Sequence, residues 1–447
     1  MSTTLDKTIN NESLKSLLSQ AVEYARANGA DQVEVASSND KGYSVTARLG
    51  EVETVEHHNQ RSMGVTVYRG KAKGSASTNI VTAEAINRTI DSALEIAKFT
   101  AEDECSGLAD AELMANDYPQ LDLDHPWAIE PDQALQQAIR CEEVARDDKR
   151  IVNSEGASVS SISTQLVYAN SHGFAGEYRG TRHSISCSVI AGDDKGMQRD
   201  YWYSVDRNAD NLEDIESVGA MARERTVRRL GGRGLKTCSA PVLFEPTLAR
   251  SLIGHLISAI SGGALYREAS FLLDSLNKQV LPKWLTITED PHMIGGLGSV
   301  PFDNEGVRTQ SRKVVENGVL QGYVLSSYSA RKLGMQTTAN AGGVHNIRMN
   351  DSGKSQQELI KAMDKGLLVT ELIGHGVNTV TGDYSRGASG FWVENGEIQY
   401  PVEEITIAGN LAEMFMNIGA IGNDVDGRGN IQCGSILIEN MTIAGGS

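Results

Sequence analysis

Nine histidines and five cysteines are the side chains with which this 447-residue chain could hold a metal, and their spacing decides whether they converge. A catalytic zinc needs three protein ligands on one point and a carboxylate to act on the bound water. No H-E-x-x-H occurs, no histidine pair stands at helical spacing, and Cys105, Cys141, Cys187, Cys238 and Cys433 include no C-x-x-C. The one suggestive segment is Leu248–Leu256, LARSLIGHL, a helical apolar pattern with a single histidine, His255. In an i,i+4 register the first ligand would be Ser251, and in an i,i+5 register Arg250. The position of a general base then holds Leu252 or Ser251. None of these coordinates zinc or activates water. At 100° per residue His255 falls between Leu248, Leu252 and Ala259, where a lone histidine reads most simply as a hydrogen-bonded core residue. Cys433, in the glycine-flanked turn GNIQCG, is the one cysteine placed to join it. Its plainer reading is a small buried hydrophobe.

Patterns for nucleophilic catalysis are no stronger. Ser329-Ala330-Arg331-Lys332 and Ser275-Leu276-Asn277-Lys278 match S-x-x-K, in which a lysine activates a serine, but no S-D-N or K-T-G companion is present. G-x-S-x-G, P-loop and G-x-G-x-x-G patterns are also absent. The densest polar stretch is Thr381–Gly390, TGDYSRGASG. Asp383, Arg386 and Ser389 there, among small residues, are candidates to line a substrate groove, with Arg386 gripping a carboxylate and a strand edge taking an extended peptide. The competing reading is a glycine-rich turn with an internal Asp383–Arg386 pair.

These residues need elements to position them. Apolar residues at helical spacing predict helices over 11–28, 82–98, 131–147, 213–230, 247–261, 355–366 and 410–417. Alternation at Val33/Val35, Val45/Ala47/Leu49 and Met63/Val65/Val67 predicts strands joined by glycine turns, and more strands follow from 151 to 203. Arg223, Arg225, Arg228 and Arg229 fall near the end of the fourth helix, read as cations complementing the helix dipole on a solvated face. Leu230-Gly231-Gly232-Arg233-Gly234 reads as a linker, which divides the chain into 1–232 and 238–447. Beyond it, VENGVLQ at 315–321 and VENGEIQ at 393–399 each present Asn-Gly between alternating apolar residues, the strongest local hairpin signal. Two such hairpins predict one large antiparallel sheet with related lobes. The fold class is α+β: an N-terminal α/β domain and a strand-rich C-terminal antiparallel sheet with packed helices.

Composition excludes several functions. With 41 Lys+Arg against 58 Asp+Glu the net charge is −17, the wrong sign for a nucleic-acid footprint. No stretch approaches the roughly 18 apolar residues of a spanning helix, and the polar first ten residues resemble no secretory signal. Scattered cysteines show no disulfide framework. The expectation is a cytoplasmic protein with neither nucleic acid nor membrane as partner.

The strings VTEL at 369–372, TGDYSRG at 381–387, FWVENG at 391–396 and IAGN at 407–410 resemble the TldD/PmbA family, specifically its PmbA (TldE) branch. The similarity continues through GSAS at 74–77, NSHG at 170–173, FLLDSL at 271–276 and NIQCG at 430–434, and so spans nearly the whole chain. The resemblance implies a bacterial metallopeptidase family, also called modulators of DNA gyrase, whose TldD and TldE subunits form a heterodimer. Together they degrade unfolded peptides, remove leaders during peptide maturation and turn over an antitoxin. In the TldD branch a helix with H-E-x-x-x-H and a distant Cys binds zinc. Carried onto this chain, that motif puts Arg250 at the first His, Ser251 at the Glu and His255 at the second His, with Cys433 near the distant Cys. The resemblance therefore implies a partner subunit without its own metal, zinc being held by the TldD-type subunit, and a homodimer when isolated. Two rival expectations stand beside it: a self-sufficient metallopeptidase using His255 and Cys433, and a non-catalytic peptide-binding regulatory module.

Overall fold

Leu14, Leu18, Ala21, Val22 and Ala25 recur every three or four residues and are all buried, which makes the first helix a stripe laid on a sheet. The computed structural model describes residues 11–445. The N-terminal half runs α1 (Asn11–Ala27), β1 (Gln32–Arg48), β2 (Glu51–Arg69), β3 (Ala72–Thr78), α2 (Ala83–Phe99), α3 (Pro131–Arg146), β4 (Ile151–Asn170), β5 (Ala175–Gly192), β6 (Met197–Asp206) and α4 (Ile215–Val227). Its six strands form one antiparallel sheet in the order β3-β2-β1-β4-β5-β6. Odd-numbered residues of β1 face one side throughout. Val33 and Val35 pack under α1 and α2, while Val45 and Ala47 pack under α3 and α4. The opposite face carries Tyr168 into an aromatic cluster with Phe174 and Phe302, which joins this sheet to the C-terminal half.

The C-terminal half runs β7 (Cys238–Phe244), α5 (Pro246–Ala259), α6 (Gly262–Leu265), β8 (Ile287–Glu289), β9 (Arg312–Glu316), β10 (Val319–Leu320), α7 (Ser327–Lys332), β11 (Ile347–Met349), α8 (Gln356–Met363), β12 (Gly366–Ile373), β13 (Asp383–Glu394), β14 (Glu397–Asn410), α9 (Leu411–Met416), β15 (Ile418–Ile421), β16 (Ile431–Gln432) and β17 (Ile436–Gly445). A six-stranded sheet orders β14-β13-β12-β7-β17-β15, and β14 pairs again with β17, so the sheet closes on itself. α5 packs its apolar stripe, Ala249, Leu252, Ile253, Leu256 and Ala259, into the core of this sheet. The molecule is α+β, with mostly antiparallel strands and parallel pairings at β12–β7 and β11–β16.

Both Asn-Gly hairpins form, with Asn317 and Gly318 at φ 49° and 79° and Asn395 and Gly396 at φ 54° and 70°. They do not share one large sheet. The first belongs to the five-stranded sheet β10-β9-β8-β11-β16, the second to the closed six-stranded sheet. A two-residue turn dictates the pairing of its own strands and carries no information about which sheet they join.

The arginine-rich end of α4 is also not a solvated face. Arg225 and Arg229 are each 8% exposed. Arg225 makes a two-pronged bond to Glu245 at the start of α5, at 3.1 and 2.7 Å, and lies 3.5 Å from Asp200 of β6. Arg229 pairs with Glu371 of β12, and the Arg228 guanidinium stacks 5.0 Å from the Phe391 ring. The helix-dipole reading overlooked that the next element could bring carboxylates to this face. No helix among the described residues is long and apolar enough to cross a membrane.

Candidate functional site

α5 starts where Pro246 occupies its first turn and Glu245 precedes it, the carboxylate held by Arg225 and by Thr247 Oγ1 at 2.6 Å. Proline at a helix start costs no hydrogen bond. The helix therefore enters the core in an orientation set from α4. Each position along it that could bear on metal chemistry has its own engagement. The Arg250 guanidinium donates to Tyr203 Oη at 3.2 Å. Ser251 Oγ donates to the carbonyl of Leu248 at 2.7 Å.

His255 is half-buried, and its Nε2 is buried without a hydrogen-bond partner. It is thus not the hydrogen-bonded core histidine that its apolar stripe suggested. Its ring meets Tyr384 of β13 edge-on, centroids 6.2 Å apart at 72°. Burial, aided by the nearby Arg386 charge, pushes its pKa below the ordinary histidine value, so the imidazole is neutral at pH 7. Tyr384 is 1% exposed, and its hydroxyl makes no hydrogen bond of good geometry, although the Arg386 guanidinium lies beside it. Burial raises that phenol to about 12, although the Arg386 charge opposes the shift.

Strand geometry separates the three residues of the predicted groove. Successive side chains alternate faces, so Arg386 shares a face with Tyr384 while Asp383 lies on the other. Asp383 is exposed and accepts from Thr381 Oγ1 at 2.6 Å. Ser389 is buried at the bulge of β13, in register with Glu371 of β12. Asp383, Arg386 and Ser389 do not converge, and Arg386 is instead brought to His255. Tyr384 is the residue that sequence reasoning missed. Its i,i+2 spacing from Arg386 was available, but nothing local tells which helix a strand face will meet.

Cys433 is 1% exposed, and burial, with the Asp426 carboxylate nearby, pushes its thiol up to about 12. The charged groups acting on it are Asp426, Arg250 and Asp424. His255 faces a guanidinium, and Arg250 and Ser251 offer no zinc donors, so this set does not fit a zinc ion. Among the described residues no group of three or more His, Cys, Asp or Glu side chains is arranged to hold a metal.

The closed sheet with α5 in its core, docked on a six-stranded sheet, is the architecture of a known peptidase class. The chain belongs to the PmbA/TldA metallopeptidase family: the family's domain 1 matches residues 33–97, its central domain residues 124–230 and its C-terminal domain residues 237–445. Among its relatives, Metalloprotease PmbA of Escherichia coli O157:H7 is 52% identical over 433 residues, which cover 97% of this chain and 96% of that protein. The Metalloprotease PmbA homolog of Haemophilus influenzae is 49% identical, over 97% and 96%. A candidate modulator of DNA gyrase from Bacteroides thetaiotaomicron superposes with a TM-score of 0.93 at 29% identity, covering 98% of this chain and all of that one. TldE from Thermococcus kodakarensis, at 20% identity, shares the fold with a TM-score of 0.85 over 96% of this chain and all of that one.

Proposed function

We propose that this chain is the PmbA/TldE-type subunit of a two-subunit zinc metalloprotease that acts on unfolded peptides, among them peptide leaders and an antitoxin. In this reading it is cytoplasmic, holds no zinc of its own and pairs with a TldD-type subunit, which carries the metal and the glutamate base. Isolated, it forms a homodimer. The observation that carries the reading is the state of α5. Arg250 and Ser251 are bonded to Tyr203 and Leu248, and His255 stands beside a cation rather than beside other ligands.

This chain's own residues then bind and enclose substrate. Arg386 supplies a fixed positive charge, and the closed sheet supplies a rigid wall on which a bound segment is held. When the zinc of the partner is in place, it supplies Lewis acidity to the scissile carbonyl.

The test is elemental mass spectrometry of the full untagged chain purified alone, followed by reconstitution with a TldD-type subunit. The reading expects less than about a tenth of an equivalent of zinc, far below the one ion of a catalytic site, and cleavage of an unfolded peptide only when both subunits are present. Near-stoichiometric zinc that is lost in His255→Ala or Cys433→Ala would replace it with a self-sufficient peptidase. Peptide binding without cleavage in the presence of both subunits would favour a regulatory module.

A further inference from the structure

A buried polar atom without a partner is costly, so native proteins leave few of them. Three occur together where α5 meets β13: Nε2 of His255, Oη of Tyr384 and Nε of Arg386. Tyr384 and Arg386 are two residues apart on one strand face, and Tyr384 is the residue whose ring meets His255. The other half-buried or buried arginines nearby have acceptors. Arg225 has Glu245, Arg229 has Glu371, Arg250 has Tyr203 and Arg428 has Asp426. Arg386 has no carboxylate partner among the described residues, in a chain whose acids outnumber its bases by 58 to 41. The acidic residue of its own segment, Asp383, lies on the opposite face and is bonded to Thr381.

All three unpartnered atoms can donate a hydrogen bond. The guanidinium Nε–H can only donate, the phenol donates its O–H while its oxygen can accept, and neutral imidazole donates from Nε2 in one of its two tautomers. A guanidinium flanked by two neutral groups that can each donate complements an anion with planar oxygens. The guanidinium fork matches a carboxylate.

We infer that His255, Tyr384 and Arg386 form a carboxylate-binding site on an extended peptide substrate, with Arg386 gripping the anion and Tyr384 and His255 donating to it. The inference rests on the reading that the chain handles peptides, but it concerns this chain alone. The carboxylate is either the peptide's C-terminus or an Asp or Glu side chain. The helix position that a zinc-binding relative would use for a ligand thus serves here in binding an anion.

The test uses the full chain without a partner and fluorescein-labelled hexa-alanine in three forms: the free acid, the C-terminal amide, and the amide with one internal Asp. Fluorescence anisotropy should show the free acid bound at least about tenfold tighter than the plain amide, the scale of one charge-assisted two-pronged bond. Equal tightening by the internal Asp assigns the site to side-chain carboxylates as well, and tightening by the Asp peptide alone assigns it to them exclusively. Arg386→Gln and Tyr384→Phe should abolish the preference, whereas Arg88→Gln, an exposed arginine on α2, should leave it intact. Because the comparison of acid with amide is made on the unaltered chain, a variant that fails to fold does not rescue the inference. Equal binding of all three peptides overturns it, as does an acid preference that survives in a folded Arg386→Gln. Displacement of the free acid by inorganic phosphate but not by acetate would also overturn it, by making the site one for phosphate. A failure to activate a TldD-type subunit would leave these results untouched, so the two readings fail separately.

Discussion

Arg225 is the residue through which the N-terminal half sets the orientation of α5, and replacing it should be expensive. Its guanidinium reaches Glu245 at 3.1 and 2.7 Å and Asp200 at 3.5 Å, and the exposures of Arg225, Glu245 and Asp200 are 8%, 5% and 4%. Arg225→Met keeps most of the stem volume and removes the charge. Glu245 would retain Thr247 Oγ1 and a distant Arg228 at 3.8 Å, and Asp200 would retain Arg229 at 3.7 Å. Two buried carboxylates would thus lose their nearest cation, which places the cost at about 3–5 kcal/mol, the range for breaking a buried pair from one side. Arg225→Lys should recover only part of this, because an ammonium cannot match both oxygens of Glu245 while also facing Asp200. The double variant Arg225→Met/Glu245→Gln should be less destabilised than Arg225→Met alone, since it removes one of the stranded charges. Urea unfolding followed by tryptophan fluorescence reads this directly, as Trp202 lies 5.2 Å from the Arg225 guanidinium. The slopes should be compared first, because a chain of this size can unfold in more than one step. A cost below about 1 kcal/mol for Arg225→Met, typical of an exposed ion pair, would refute the claim that this contact is a buried anchor.

Other outcomes follow from the same contacts. Glu289, 2% exposed, accepts from Arg312 Nε at 2.8 Å, Asn340 Nδ2 at 2.7 Å and the His345 backbone at 2.8 Å. Glu289→Ala should therefore cost about 3–5 kcal/mol in a urea midpoint series, and Glu289→Gln clearly less. Gly396 has φ 70° and an added Cβ would meet Lys361 Cα at 3.0 Å, so Gly396→Ala should destabilise by about 1 kcal/mol or more, measured by thermal unfolding. His183 and His255 are both held below the ordinary histidine pKa by burial. As pH falls through the unfolded value near 6.5, the unfolded chain takes up protons that the native chain refuses, so their contribution to stability is lost toward acid. His255→Gln should flatten the decline in melting temperature between pH 7 and pH 5 relative to the unaltered chain. Cys433, buried and with its thiol raised to about 12, should resist alkylation at pH 8 in the native protein and react only on unfolding, as peptide mass mapping would show.

Local chemistry was legible where one residue type suffices to dictate the outcome. The Asn-Gly turns, Pro246 at the start of α5, the apolar stripe of α2 and the alternation of β1 all rest on dihedral preference or periodicity within a few residues. The absence of a ligand pattern around His255 was legible in the same way, because Arg250 and Ser251 carry no zinc donors whatever surrounds them. Charged and polar residues at a distance were less legible. Arg225 and Arg229 looked like surface cations because Glu245, Asp200 and Glu371 come from three other elements. Asp383, Arg386 and Ser389 looked like one lining because they are close in sequence, yet a strand sends alternate side chains to opposite faces and the bulge at Ala388–Gly390 shifts the register again.

By itself the sequence determined where the longer helices lie though not the short α6 and α7, which turns reverse the chain, the family to which the chain belongs, and that α5 lacks zinc donors beside His255. The elements and the missing donors follow from side-chain chemistry and short-range periodicity, whereas the family rests on the resemblance of whole strings such as TGDYSRG and FWVENG. Only the tertiary structure decided that the two hairpins join different sheets, that α4 is clamped to α5 through buried carboxylates, and that His255 meets Tyr384 and Arg386. Those meetings bring together residues from separate elements, about twenty positions apart for Arg225 and Glu245 and more than a hundred for His255 and Tyr384. Their geometry is set by how whole elements pack, and burial then decides which charges find partners and which polar atoms are left without one.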